Sequence, residues 1–574
     1  MMKGEQTMSK EKYSLLFPKG WESFSELSDV TFHDLGLDLI VKELSCDESE
    51  QRLITRVLCR MSADTEVTKY RCDIFEDIYN NSDMLERMMK ILDTISFLKE
   101  YGRFKREFDE KVGMWDLLHR LDEIKDYINC VEAIHDCLSD VGLTSEGLNG
   151  LRAFVDRIFK DSGFAEIKKD IAKLDVSTSK MKSVTVGINL NERFEADSIG
   201  LISVNNQSFT KSSALENFFD FVAAKDKIQD GTDWDGSYTY HPFTSSGGTS
   251  AVDRFAKTAM VMTNPLLLGL ARFPGTNPAE YVTFYMDRIV NNMLSSMVKR
   301  LRDVLNKYVT VTITDMTDLI PELLYYIRFA EYVKKLTAQG ATFCKPEISK
   351  NQKKRETKAR GIYNLKLAAF SSDEHEVIVT NDIVFDSEHR VYVLTGANRG
   401  GKTTITQSIG QLFVLAQGGI YVPGDAFVFT PVDNVYTHFP ADEDKTMDLG
   451  RLGEECKRFR GLYRACSNKS LLLLNETFST TSFEEGYYIA KDTLKAILQK
   501  GVTTIYTTHM HKLAFDLGEI NRGSTDEKAQ SLIVRADGGK RSYKIEIAEP
   551  EGQSYAKDIA QKYGVTFEML IHDH

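Results

Sequence analysis

The chain has 574 residues, 42% hydrophobic and 27% charged, enough for roughly three to five structural units rather than one core. Lysine and arginine number 72 against 84 acidic residues, a net charge of −12, so a nucleic-acid binder of this balance needs its positive charge concentrated locally. Eight cysteines without a C-x-x-C pair exclude a zinc ribbon or dithiol motif, and a polar start with no run of 18 apolar residues predicts a soluble, cytoplasmic protein without a membrane partner.

Residues 1–29, punctuated by Pro18 and Gly20, read as a loosely attached lead-in. From 30 to 182 the pattern is helical: Met84, Met88, Ile91, Ile95 and Leu98 share one face, and Leu117, Leu121, Ile124, Ile128 and Val131 repeat the rhythm. Such stripes are packing surfaces and receive no chemistry. The texture changes at 183, where Ser183–Asn189 and Ile199–Asn205 are β-like runs expected to pair as a hairpin. The stretch 229–250 is rich in Gly, Ser and Asp and reads as a surface loop, with Trp234 and Tyr238 as candidates to meet a partner. Helix returns near Pro278, and Met286, Val290, Met293, Met297, Leu301, Val304 and Tyr308 mark a rod of about 35 Å. Lys345–Arg360 carries Lys350, Lys353, Lys354, Arg355, Lys358 and Arg360 without apolar periodicity, and reads as a solvated basic linker or, alternatively, a phosphate contact.

The chemistry is concentrated after this linker. Leu394–Thr404 fits the phosphate-loop template G-x-x-x-x-G-K-[ST] through Gly396, Gly401, Lys402 and Thr403, with Asn398, Gly400 and Thr404 in the same loop. Arg390–Leu394 reads as the strand that must precede it, and Ile405, Ile409, Leu412 and Ala416 as the helix that must follow. Glycines let backbone N–H groups ring the phosphates at the positive end of that helix. Lys402 is placed to reach the β and γ phosphates of ATP and Thr403 to reach Mg²⁺. Downstream, Ser470–Asn475 reads as a buried parallel strand with Glu476, the candidate water-activating base, at its end. Gly501–Thr508 is a third strand ending at His509, a candidate γ-phosphate sensor. Asp537–Gly538 between alternating runs signals a closing hairpin over 531–547.

Several of these segments together resemble the ATPase domain of the MutS family of DNA mismatch-repair proteins. The resemblance covers about 376–560 and rests on Thr380–Ile383, Thr395–Thr404, Leu415–Gly424, Glu476–Gly486 and Thr507–Leu513 in the family's order. Upstream it is fainter: Tyr70–Phe75 is similar to the family's R-x-D element, and Phe343–Glu347 to the Y-x-R-P-E that closes its lever. The resemblance implies an α/β P-loop ATPase domain of ABC-like type at 346–574, preceded by an all-α core and lever at 30–182 and 276–345. A clamp-like β-containing insertion is implied at 183–275. It also implies ATP and Mg²⁺, a homodimer that completes each site across its interface, double-stranded or branched DNA, possible further repair proteins, and a role in DNA repair or recombination.

Departures from the family shape the expectation. Asn475 stands where the family has an Asp that holds Mg²⁺-bound water, so Mg²⁺ is left to Thr403 and Asn475, directly or through water, with weaker affinity or slower turnover. The family's serine-bearing signature aligns with Gly450–Glu455, where Arg451 is the candidate cation acting in trans. The 29 residues ahead of the helical core are too few for the family's mismatch-reading domain, and no nuclease domain is expected after the ATPase. Phe24-Ser-Glu26 fits the letters of the mismatch wedge, but so short a pattern carries no weight. Two other readings stay open: a nucleotide-gated scaffold that has lost DNA binding, and an ATP-binding member with little hydrolysis.

Overall fold

A computed structural model describes residues 13–21, 23–94, 114–178, 183–190, 192–194, 196–205, 270–272, 295–306, 313–370, 378–396, 400–440, 450–523, 527–537, 540–550, 561 and 563–572. The chain forms two compact units, one drawn from 1–94, 136–154 and 315–574, the other from 95–135 and 155–314. The stretch 30–182, expected as one helical block, is thus divided between the two. None of the described helices is long and apolar enough to cross a membrane, and all eight cysteines are free thiols.

The first unit is built on a six-stranded sheet. Its strands are β1 (His389–Thr395), β2 (Val435–His438), β3 (Leu471–Asn475), β4 (Thr503–Thr507), β5 (Lys528–Asp537) and β6 (Lys540–Ile547), in the order β2-β3-β4-β1-β5-β6. The first five are parallel and β6 closes the sheet antiparallel to β5, with Asp537 opposite Lys540, as the hairpin reading requires. A strand covered on both faces must be apolar throughout, and Leu471–Leu474 are all fully buried. On one face α1 (Lys402–Gln417) runs under the sheet; on the other, α3 (Phe483–Lys500) sets Ala490, Leu494 and Ile497 against Val391, Val393, Leu472 and Leu474.

The basic stretch before this sheet is not a solvated connector. Pro346–Ile348 and Thr357–Ile362 are strands of a second, four-stranded sheet shared with Ala426–Phe429 and Asn381–Phe385. In Thr357–Ile362, Lys358 and Arg360 face solvent while Thr357 and Ala359 are buried. The inward residues are too weakly apolar to show as an alternation. Arg355 donates to the Gly501 carbonyl (2.9 Å) and pairs with Glu527 (2.9 Å), which also takes Arg390, so its role is structural.

The described part of the lead-in, from Tyr13 onward, is also not loose. Leu15 and Leu16 are buried, Tyr70 donates to the Ser14 carbonyl (2.8 Å), Tyr326 donates to that of Leu15 (3.0 Å), and Tyr13 stacks on Phe154. Ser25–Glu26 pairs with Arg60–Met61, so Phe24-Ser-Glu26 leads into a β-bridge, with the Arg60 guanidinium 5.4 Å from the Phe24 ring. Glu322 receives the Leu15 N–H (2.6 Å) and the Ser14 hydroxyl (3.1 Å). Burial nevertheless pushes its carboxyl up to about 7, against those bonds and the charges of Arg60 and Arg71. The folded state therefore holds this proton more tightly than the unfolded chain, and the resulting stabilisation, full below about 4.5, is lost as pH rises through about 7. Glu322→Gln, which imitates the protonated acid, is expected to be near neutral at pH 5 and stabilising by roughly 2–3 kcal/mol at pH 8. Urea unfolding at both pH values checks this, and an equal effect at the two would reject it.

In the second unit, Leu117, Leu121, Ile124, Ile128 and Val131 are all buried on helix Met114–Ser139, as their spacing predicts. Ser183–Leu190 pairs antiparallel with Ala196–Asn205, and Leu270–Arg272 adds a third strand. Of the predicted rod at 286–308, helix Ser295–Asn306 is described; the loop bearing Trp234 and Tyr238 lies outside the described residues.

Candidate active site

The register of the parallel strands brings three loops together. Leu394 of β1 and Asn475 of β3 both stand opposite Thr507 of β4, so the segments leaving these strands emerge level at the carboxyl edge of the sheet. The backbone ties them there: Glu476 N–H donates to the Thr507 carbonyl (2.8 Å) and Thr508 N–H to that of Leu394 (3.0 Å). Thr406 of α1 and Thr507 join hydroxyls at 2.8 Å beneath.

The phosphate-loop glycines do what the template asks of them. Gly396 has φ 139° and Gly401, capping α1, has φ 87°. A Cβ at Gly396 would sit 3.0 Å from the Cβ of Val534, so the close passage over β5 admits no side chain. Asn398 lies outside the described residues. Lys402 is buried, and its ammonium donates to the Gly396 carbonyl (3.1 Å) and sits 3.5 Å from His509 Nδ1. Burial lowers its pKa, with Glu476 opposing. An ammonium has no lone pair, so at this contact Nδ1 is the acceptor, which leaves Nε2–H to donate to Glu476 Oε1 at 2.6 Å. That hydrogen bond is the largest influence holding the Glu476 carboxyl below the ordinary range; burial opposes it and the Lys402 charge assists. Glu476 has φ 51° and Phe478 φ 63°, strain that the surrounding bonds hold in place.

Thr403 donates its hydroxyl to Asn475 Oδ1 at 3.2 Å. These are two hard oxygen donors at the foot of the phosphate loop, a set that suits Mg²⁺, which keeps most of its ligands as water and phosphate oxygen. No cluster of three or more His, Cys, Asp or Glu able to hold a metal by itself occurs among the described residues. The site therefore fits a cation carried in with a phosphate ligand. A cavity of about 1080 Å³ opens from here, lined by Gly400–Thr404, Glu476 and His509 and extending to Lys366, Ile378, Asn381 and Tyr543. Gly450–Ala465 forms helix α2, while the Arg451 side chain lies outside the described residues.

The family model described as MutS domain V matches residues 392–568, and that of the MutS2 N-terminal domain matches 63–339. The chain belongs to the MutS family. Among curated MutS relatives, Endonuclease MutS2 of Thermus thermophilus is 29% identical over 33% of this chain and 25% of its own length. DNA mismatch repair protein MutS 2 of Halobacterium salinarum is 32% identical over 30% of this chain and 21% of its own. Endonuclease MutS2 of Caldicellulosiruptor bescii is 27% identical over 50% and 36%. The matched stretches span only about a fifth to a third of these MutS relatives.

The structure also gives roles to two residues that sequence reasoning did not assign to the site. His438, ending β2, meets the Thr477 hydroxyl through Nδ1 at 3.0 Å and packs near Phe459 and Phe478. Burial pushes its pKa down to about 3, so it is a neutral brace for the turn after Glu476. Asn381 donates to the Tyr543 carbonyl (3.1 Å) and accepts from Ile545 N–H (2.8 Å), fixing one wall of the cavity. His438 lies in no pattern that distinguishes it, and Asn381, inside the Thr380–Ile383 segment, was not singled out as a site residue.

Proposed function

We propose that this chain is an ATP-hydrolysing DNA-binding protein, its last domain an ABC-like P-loop ATPase. The observation that carries the reading is the convergence of Lys402, Thr403, Glu476 and His509 on one cavity, with Asn475 behind Thr403 and bonded to its hydroxyl. Lys402 and the N–H groups at the start of α1 hold the phosphates, and Thr403 with Asn475 receives Mg²⁺. When bound, the cation neutralises charge on the β and γ phosphates. Glu476, ionised and oriented by His509, takes a proton from the water whose oxygen attacks the γ phosphorus, and ADP and phosphate leave. Arg451 is the candidate finger completing a second protomer's site. ATP occupancy is then relayed through the lever helices to the 183–275 insertion, which grips double-stranded or branched DNA through its phosphates, in DNA repair or recombination. The names of the MutS relatives, mismatch repair protein and endonuclease, support this class of substrate.

The deciding experiment titrates homoduplex, mismatched and branched DNA against the protein with no nucleotide, MgADP and MgATP, at low and high salt, while sedimentation follows its mass. Salt-sensitive, nucleotide-dependent DNA retention by a dimer is expected. No retention under any condition would instead favour the nucleotide-gated scaffold. The same material tests the departure at the metal site. Asn475→Asp, restoring a charged partner, is expected to lower the Mg²⁺ concentration needed for half-maximal ATP binding by about tenfold. An unchanged Mg²⁺ titration would mean that position 475 does not face the cation.

A further inference from the structure

The cavity holds a second lysine that no phosphate-loop motif accounts for. Lys366 lines it together with Lys402, Thr403 and Thr404. Its position is built rather than incidental. Asn364, buried, donates to the Thr404 carbonyl (3.0 Å) and to Gln407 Oε1 (3.3 Å), while its own Oδ1 accepts the Lys366 N–H (3.0 Å). Leu365 N–H donates to Gln411 Oε1 (3.0 Å), and Gln411, fully buried, returns a bond to Asn364 Oδ1 (3.1 Å). Five hydrogen bonds thus fasten the 364–366 turn to α1 or within itself, and buried polar networks of this kind hold geometry rigidly when satisfied. The Lys366 stem passes over Gly36, where an added Cβ would lie 3.9 Å from its Cδ.

The charge of the cavity is as telling as its shape. Among the described residues no carboxylate pairs with the Lys366 ammonium. Among the described lining residues the one carboxylate, Glu476, is engaged by His509 at 2.6 Å. Position 475 contributes no charge, so among the described residues the Lys and Glu side chains of the lining are Lys366 and Lys402 against Glu476. A polyphosphate entering such a cavity meets more fixed positive charge and relies less on a cation carried in with it. We infer that Lys366 is a second phosphate-binding lysine of the nucleotide site, placed across the cavity from the loop, and that it lets the protein hold ATP without Mg²⁺. The inference rests on the nucleotide-binding reading above.

The test is a fluorescence titration of the full chain with an N-methylanthraniloyl ATP analogue, in EDTA and in Mg²⁺, at several salt concentrations, for the parent and for Lys366→Ala, Lys366→Arg and Lys366→Glu. In EDTA, Lys366→Ala is expected to weaken binding about tenfold and Lys366→Glu further, with Lys366→Arg near the parent. In Mg²⁺ the loss shrinks to about threefold, because the cation takes over part of the neutralisation. Lys402→Ala, losing binding in both buffers, reports whether the signal arises at the phosphate loop. Equal affinity of Lys366→Ala and the parent in EDTA overturns the inference, as does a loss that Lys366→Arg shares, since that is the mark of a packing role. A parent protein that binds no analogue in either buffer fails the nucleotide-binding reading itself, a different outcome from either of these.

Discussion

Glu476→Gln is expected to lower ATP hydrolysis by about 10²–10³-fold while leaving nucleotide affinity within a factor of about three. The amide keeps the shape and one hydrogen-bonding oxygen for His509 Nε2–H, so the loop stays in place and only the capacity to accept a proton is removed. The acid limb of the rate profile carries a second signature. The hydrogen bond from His509, first, and the Lys402 charge hold the Glu476 carboxyl below its ordinary 4.5 despite burial. The base is therefore ionised throughout the neutral range, and the rate should not fall from this cause until the pH drops below about 4.5. His509→Ala removes the largest of these influences, so its acid limb should move upward. Steady-state phosphate release together with analogue binding measures both effects. A Glu476→Gln protein that hydrolyses ATP at the parent rate assigns the base to another residue.

Sequence carried the site further than the scaffold, for a physical reason. A phosphate loop needs glycine where φ is positive and a lysine at one spacing, so Gly396, Gly401 and Lys402 are dictated locally and are visible in the chain. The four buried leucines of β3 announced themselves because a doubly covered strand leaves no polar face. The second sheet escaped notice because its inward residues, Thr357 and Ala359, are small, while Lys358 and Arg360 advertise a linker. Lys366 and His438 owe their places to contacts 40 and 39 residues apart in sequence, between Asn364 and Thr404 and between His438 and Thr477. No local pattern records such pairings. The lead-in was misjudged for the same reason: Pro18 and Gly20 mark a turn, but Leu15 is anchored by a helix some three hundred residues downstream and Leu16 by Arg71.

Arg71→Ala is expected to cost about 3–5 kcal/mol of stability, the range for removing one member of a buried charged network. Arg71 is 1% exposed, and its guanidinium donates to the carbonyls of Leu16, Arg60 and Gln417, each at 2.9 Å, with the Phe17 ring 4.8 Å away. Three segments thus converge on one side chain: the lead-in, the short strand Arg60–Met61, and the last turn of α1, whose far end bears Lys402. The fit at this end is close. Gly419 has φ 86°, and a Cβ there would stand 2.6 Å from the Arg71 carbonyl carbon, so the backbones already touch. Truncation strands two buried carbonyls and a part-buried one and removes a positive charge acting on Glu322. Lysine, a point donor, cannot span three carbonyls arranged around a planar fork, so Arg71→Lys should recover less than half of the loss. Denaturant unfolding of the three proteins decides the matter, and a midpoint unmoved by Arg71→Ala would show that the lead-in and α1 are held together by apolar packing alone.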